Sequence, residues 1–342
     1  MEDQFKTIQS LGRKGLISQL SKYQGTVNAN VLKSIGDDAA VVSVGDSTTK
    51  LISVDTFIEG VDFDLVYTPF QHLGYKIVST SVSDIYAMNG RPTALLVSLA
   101  LPNRLSVQMI DDLYVGIDAA CKKNGTQLVG GDLTANHNHL VISVTVYGEA
   151  EKEKICYRSE AKLNDAICVT GDVGGALAGL RVLMREKKYW EEMGSDTIQP
   201  DLKGYEYVVR RQLMPEARLD FIQALNDYNI KPTAMIDITK GIANEVTELC
   251  DASRLGAQLF QAALPVALQT RSVADEMEED VDKYALFGGE DLELLFTLPE
   301  KDVEKFAKNF NDFVVIGRMI AKEAGMFIQT AEGDTVIFDD LS

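Results

Sequence analysis

The chain has 342 residues, 46% of them hydrophobic and 8% aromatic, and a formal net charge of −18. That length suits about two domains, and the apolar fraction excludes a disordered chain. The charge repels nucleic-acid backbones and anionic membranes, so neither is expected as a partner. The longest apolar stretches, such as Thr93 to Pro102, are far too short to cross a bilayer. The charged start MEDQFKTIQS lacks the apolar centre of a signal peptide, so a soluble, cytoplasmic protein is expected. Cys121, Cys156, Cys168 and Cys250 form no CxxC pair and read as reduced, mostly buried thiols. His137 and His139 sit in a polar turn with no further ligands that would make a zinc site.

In chain order, DAAVVSV and KLISVDT read as strands. A helical pattern runs from Pro69 to about Met88, opened by a tolerated proline and stopped by Asn89-Gly90. TALLVSLAL is a strand between two prolines, and VQMIDDLYVGIDAACKKNG is an amphipathic helix ending at Gly125. TQLVGGD is a short strand and HLVISVTVYGEA a longer one. The charged stretch EAEKEK marks a domain boundary, giving 1–150 and 151–342. The second part opens with a strand, a glycine-rich turn and a helix (DAICVTGDVGGALAGLRVLMREKK). Glu186 to Gly204 is polar and reads as a loop or lid, and a helix is expected from Pro215. ADEMEEDVDKY (Ala274 to Tyr284) reads as a plain solvent-facing segment. AMIDITKGIANEVTELC, AQLFQAALPV, GGEDLELLFTLP, a helix and two strands complete the chain. The fold class expected is α/β (α+β), with two packed domains.

Several aspartates share one local setting. Asp37 and Asp38 precede AAVV, Asp55 ends LISV, Asp84 precedes IYAM, Asp132 follows QLVGG and Asp237 follows AMI. One such aspartate is ordinarily a cap or turn residue. If five or six converge, they repel strongly unless cations lie between them. Magnesium is commonly held by a few carboxylates together with substrate phosphates. The pattern therefore suggests a multi-magnesium site for a polyphosphate. GGD, TGDVGG and FGGED would let backbone approach phosphates. No GxxxxGK[ST], no GxGxxG after a strand and no HRD–DFG pair is present, so the carboxylates would have to carry ATP.

SIGDDAAVV, SVDT, SVSDIYAMNGRP, LVGGDLT, CVTGDVGGALAGL and FGGEDLELLFT occur in this order. Together they resemble the thiamine-monophosphate kinases, from about Gly36 to Phe296. The wider superfamily includes aminoimidazole ribonucleotide synthetase. The resemblance implies an N-terminal domain whose mixed sheet pairs across a homodimer, a C-terminal α/β domain and an ATP cleft between them. It implies in-line transfer of the ATP γ-phosphoryl group to thiamine monophosphate, assisted by several magnesium ions. Matching the motifs places magnesium on Asp38, Asp55, Asp84, Asp132 and Asp237, with Ser53 and Val54 adding backbone oxygens. It places ATP on Gly131, Asp132, Arg158 and Thr239, and acceptor contacts on Asp62 and Glu290. Asp132, Arg158 and Asp237 would carry catalysis by neutralising charge.

Three positions depart from the family pattern. Lys240, in DITKG, stands where the family has a further magnesium-binding aspartate, and its ammonium could supply part of that charge. Asp62 stands where the family has a substrate-facing histidine. The end VIFDDLS offers only Phe338 where relatives carry a ring-holding Trp or Tyr. These departures keep two alternatives open: an enzyme acting on a different small molecule, and a nucleotide-binding regulator.

Overall fold

The computed structural model describes residues 8–25, 28–45, 47–194 and 200–338. The N-terminal part places α1 (Ile8–Ser21) before β1 (Val31–Lys33), β2 (Ala40–Ser43) and β3 (Thr48–Ile58). Then come α2 (Phe70–Ala87), β4 (Arg91–Pro102), α3 (Val107–Asn124), β5 (Leu128–Asn136) and β6 (Val141–Glu151). The six strands form one mixed sheet in the order β1-β2-β3-β6-β4-β5, with only β4 and β5 parallel.

The alternation in β3 sets its faces. Thr49, Leu51, Ser53 and Phe57 are buried, while Val54 between them is exposed. The buried face is covered by α2, which is buried on nearly every side and is the central helix of the molecule. It packs on α3 through two glycines. A Cβ on Gly74 would come within 2.0 Å of Leu113 O, and one on Gly116 within 1.9 Å of Gln71 O, so only glycine permits this approach.

The C-terminal part contains β7 (Ala166–Thr170), α4 (Gly175–Met193), α5 (Glu206–Leu213), α6 (Leu219–Asp227) and β8 (Ala234–Asp237). It continues with α7 (Ile242–Ser253), β9 (Gly256–Phe260), α8 (Leu268–Glu276), α9 (Val281–Phe287), β10 (Leu294–Leu298) and α10 (Glu300–Ala307). It closes with β11 (Phe313–Ile320), β12 (Met326–Gln329) and β13 (Thr335–Ile337). The sheet order is β13-β12-β9-β11-β7-β10-β8. β7, β8 and β10 are buried at every residue, as strands covered on both faces must be. One covering core is shared with the first sheet and includes Phe221, Phe296 and Phe306; the other includes Ile236, Val246, Leu259 and Phe338. All four cysteines are free and buried.

Four sequence expectations need correction. Glu186 does not begin a loop, because α4 runs on to Met193. Lys187 with Glu191 and Lys188 with Glu192, each four apart, support that last exposed stretch of helix. Residues 195–199 of the expected lid lie outside the described residues. The helix expected from Pro215 begins only at Leu219, because Arg218 turns inward to pair with Glu293 and Asp312. Ala274 to Tyr284 is not plainly solvent-facing: Ala274 and Tyr284 anchor α8 and α9 in a small core while the acids between them stay outside. The strand expected at TQLVGGD extends to Asn136, and it is an edge strand.

Candidate metal and phosphate site

Three loops and one helix converge where the two sheets meet. Gly36 takes φ +111, which turns the chain into β2 and points Asp38 inward. Asp37 serves this turn. Its Oδ1 accepts the Asp38 and Arg158 N–H groups at 3.2 and 3.4 Å, and its Oδ2 pairs with Lys33 at 3.1 Å. Asp84 comes from α2, and Asp237 ends β8, which is locked into the second sheet against β10. One carboxylate oxygen of each of Asp38, Asp84 and Asp237 lies within 4.8 Å of the others. Asp55, on the covered face of β3, is close enough to Asp84 to raise its pKa.

Burial is the chief cause of every shift in this group. It pushes Asp38 up to about 6 against the pull of Arg158, and it raises Asp55. Asp84 and Asp237 go well above the usual carboxylate range, driven by burial and then by the neighbouring acids. Arg158 forks onto both oxygens of Asp38, with Nε 3.2 Å from Oδ2. Arg158 on Asp38 and the exposed Arg13 near Asp55 are outnumbered by these four carboxylates. Ser53 Oγ, Asp55 Oδ2 and Asp237 Oδ2 are buried without a hydrogen-bond partner, and the Ser81 and Ser83 hydroxyls lie beside Asp55 and Asp237 without closing one. Buried oxygens are rarely left this way, and an all-oxygen set of this kind suits a hard divalent cation.

Glu245 escapes a reading of the sequence. It lies in the first turn of α7, buried, and its Oε1 accepts the N–H groups of Thr239 and Lys240 at 3.3 and 2.9 Å. It thereby fixes the loop after Asp237. Burial pushes it up to about 7. A glycine followed by an acid in the first helical turn is the available signal.

Asp132 is not brought to the cluster. It pairs in register with Ser98, which pairs with Ser143, which pairs with Thr56, so these four share one sheet face. Asp55 lies one residue away, on the opposite face. Three strand spacings separate β5 from β3, roughly 14 Å. Gly131 is explained by packing, because a Cβ there would stand 1.8 Å from Val97 O. Val54 also points to the open face. The glycine-rich turn before α4 is filled from within: Asp291 accepts the Gly174 and Ala176 N–H groups at 2.6 and 2.9 Å. Gly289 likewise serves a close approach, because a Cβ there would stand 2.3 Å from Thr239 O.

On the acceptor side, Asp62 Oδ2 accepts the Ile58 N–H at 2.7 Å and so closes its own turn. Phe338 is buried in the second core and does not line the cleft. Glu290 meets Lys76 at 2.9 Å and Gln212 at 3.1 Å.

The two sheets correspond to the two domains of the AIR synthase related proteins. The N-terminal domain of that family matches residues 36–150 and its C-terminal domain residues 164–328. Thiamine-monophosphate kinase of Bacillus subtilis is 34% identical over 81% of this chain and 81% of its own length. That of Aquifex aeolicus is 32% identical over 94% and 95%. The structure of AaThiL complexed with AMPPCP and TMP superposes with a TM-score of 0.81, at 30% identity, covering 98% of this chain and 97% of that one. The chain belongs to the thiamine-monophosphate kinase family.

Proposed function

We propose that this chain catalyses its family's reaction, ATP plus thiamine monophosphate giving ADP and thiamine diphosphate, at the Asp38–Asp84–Asp237 cluster. The observation that carries the reading is the excess of buried carboxylate oxygen over cationic charge at that junction. A structural relative holding AMPPCP and TMP supports both substrates. Asp38, Asp55, Asp84 and Asp237 would hold magnesium, which when bound supplies positive charge to phosphate oxygens.

The chain's own groups do the rest. Asp84 and Asp237 come from different halves of the molecule, so a phosphate held there is fixed relative to both. The Arg158 fork, now on Asp38, presents its guanidinium to anionic oxygen entering the junction. Glu245 keeps the Thr239–Lys240 backbone in place, and Lys240 stands exposed beside it as a further cation. The acceptor is itself a phosphate, so transfer needs positioning and charge neutralisation more than a strong base.

Asp132 and Gly131 fit this reading through a homodimer. β5 is exposed along eight of its nine residues and carries Val129 and Leu133 at 59% and 66% exposure. Pairing of this edge strand with a second copy would cover both residues and set Asp132 against the partner chain. The assay is direct: supply ATP, magnesium and thiamine monophosphate, and measure thiamine diphosphate. ATP binding without turnover would favour a regulator, and turnover only with another acceptor would overturn the substrate.

A further inference from the structure

Lys76 is a buried cation in the central helix α2. Its side chain is 5% exposed, and its ion pair crosses 214 positions of sequence to Glu290 Oε2 at 2.9 Å. Gln212, also buried, donates to the same oxygen at 3.1 Å from α5. Both donors sit beneath the carboxylate, while the Glu290 side chain itself remains 36% exposed. Oε1 receives neither of them.

The backbone beneath Glu290 is held as firmly. Glu290 takes φ +68 and Leu292 φ +54, left-handed conformations that side-chain-bearing residues adopt only when their surroundings impose them. The Glu290 N–H donates to Thr239 O at 3.1 Å and the Leu292 N–H to Ile238 O at 3.2 Å. The turn that presents Glu290 is therefore stitched to the residues that follow Asp237. Lys76 also shares α2 with Asp84. Eight residues of helix separate them, roughly 12 Å along the axis.

We infer that Lys76 is a positioning residue for the acceptor. With Gln212, it pins Glu290 by one oxygen so that the other accepts a hydrogen bond from an amino group at the end of the acceptor remote from its phosphate. The phosphate end lies at the carboxylate cluster, one span of α2 away. A lysine is needed because a carboxylate this close to the acidic junction otherwise has no fixed orientation and adds to the negative field that the substrates must enter. This rests on the acceptor being thiamine monophosphate, a phosphate ester with an amino group at its far end.

The test is steady-state kinetics on the full chain for wild type, Lys76→Met, Lys76→Arg, Glu290→Gln and the double variant Lys76→Met/Glu290→Gln. Affinity for an ATP analogue is measured alongside. Lys76→Met is expected to raise KM for thiamine monophosphate by about tenfold or more and leave ATP-analogue affinity within about twofold. Lys76→Arg should recover part of the loss. The double variant should be no worse than Glu290→Gln alone, because Lys76 acts through that carboxylate. If Lys76→Met does not fold, Gln212→Met should raise the same KM by a smaller factor. An unchanged acceptor KM, a parallel loss of ATP-analogue affinity, or additive effects in the double variant would each overturn the inference while leaving the kinase reading intact. A wild-type protein that makes no thiamine diphosphate would remove the reading and the inference together.

Discussion

Two regions of this molecule bury acidic side chains in quantity, and they treat them oppositely. In the C-terminal half, Glu293 is 3% exposed and receives Arg211 at 2.9 Å, Arg218 at 2.6 Å and the Thr170 hydroxyl at 2.7 Å. Arg218 goes on to Asp220 and Asp312, and Asp291 caps α4 while facing Arg211. Each of these carboxylates has a cation. At the junction of the sheets, Asp38, Asp84 and Asp237 share the guanidinium of Arg158, and Asp55 has the exposed Arg13 nearby, so the carboxylates still outnumber the cations. The lesson is that burial of charge alone does not mark a site. A balanced network holds a fold together, whereas an unbalanced one is complete only with something added.

Substitution separates the two regions most strongly. Asp84→Asn should lower kcat/KM for thiamine diphosphate formation by on the order of 100-fold or more. It should leave the metal-free melting temperature unchanged or higher, since it relieves repulsion. Glu293→Ala should do the reverse. Stripping the shared partner from two largely buried arginines should cost about 3–5 kcal/mol in urea unfolding, with any activity loss tracking the unfolded fraction. If Asp84→Asn also destabilises by that amount, the two regions are alike and the distinction fails.

Acidity separates them next. The Asp38 carboxyl, at about 6 in the folded chain against an ordinary 3.8, holds its proton longer when folded, and Asp84 and Asp237 shift the same way. Stability of the metal-free protein from these groups is therefore full below about pH 4 and lost as pH rises through about 6 and above. Magnesium should raise the melting temperature more at about pH 8 than at about pH 5. An equal gain at both would mean that the cation binds elsewhere. The smallest expected effect belongs to Lys240→Asp, which should raise the magnesium concentration needed for half-maximal rate a few-fold, because an exposed cation is exchanged for an anion beside the phosphate path. Identical magnesium curves would show that Lys240 plays no part in charge balance.

Much of the site is readable from sequence because aspartates at the ends of apolar runs announce loops at strand ends, where ligand groups gather. Asp38 and Asp237 stand out in this way, whereas Asp84 lies within the helical pattern of α2, and the role of Asp37 as a local brace follows from its position. What sequence order leaves unread shares a common reason. Sequence order does not tell which face of a sheet a residue occupies, and a one-residue offset puts Asp132 opposite Asp55. The glycine motifs look like phosphate cradles, yet Gly131 and Gly289 serve close packing, and the turn before α4 is filled by Asp291. Glu245 leaves only the weak signal of an acid in the first helical turn after a glycine, and Lys76 is invisible in sequence because its partner lies on an element distant along the chain. The strands are legible from alternation, while the late start of α6 is not, since it depends on the inward turn of Arg218.

Everything above turns on whether the unbalanced carboxylates form the metal-phosphate centre. Anomalous scattering from crystals grown with manganese and a non-hydrolysable ATP analogue answers this. Peaks coordinated by Asp38, Asp84 and Asp237, with the analogue's phosphates on the same ions, are the expected result. Bound analogue with no anomalous peak among those three carboxylates would contradict it.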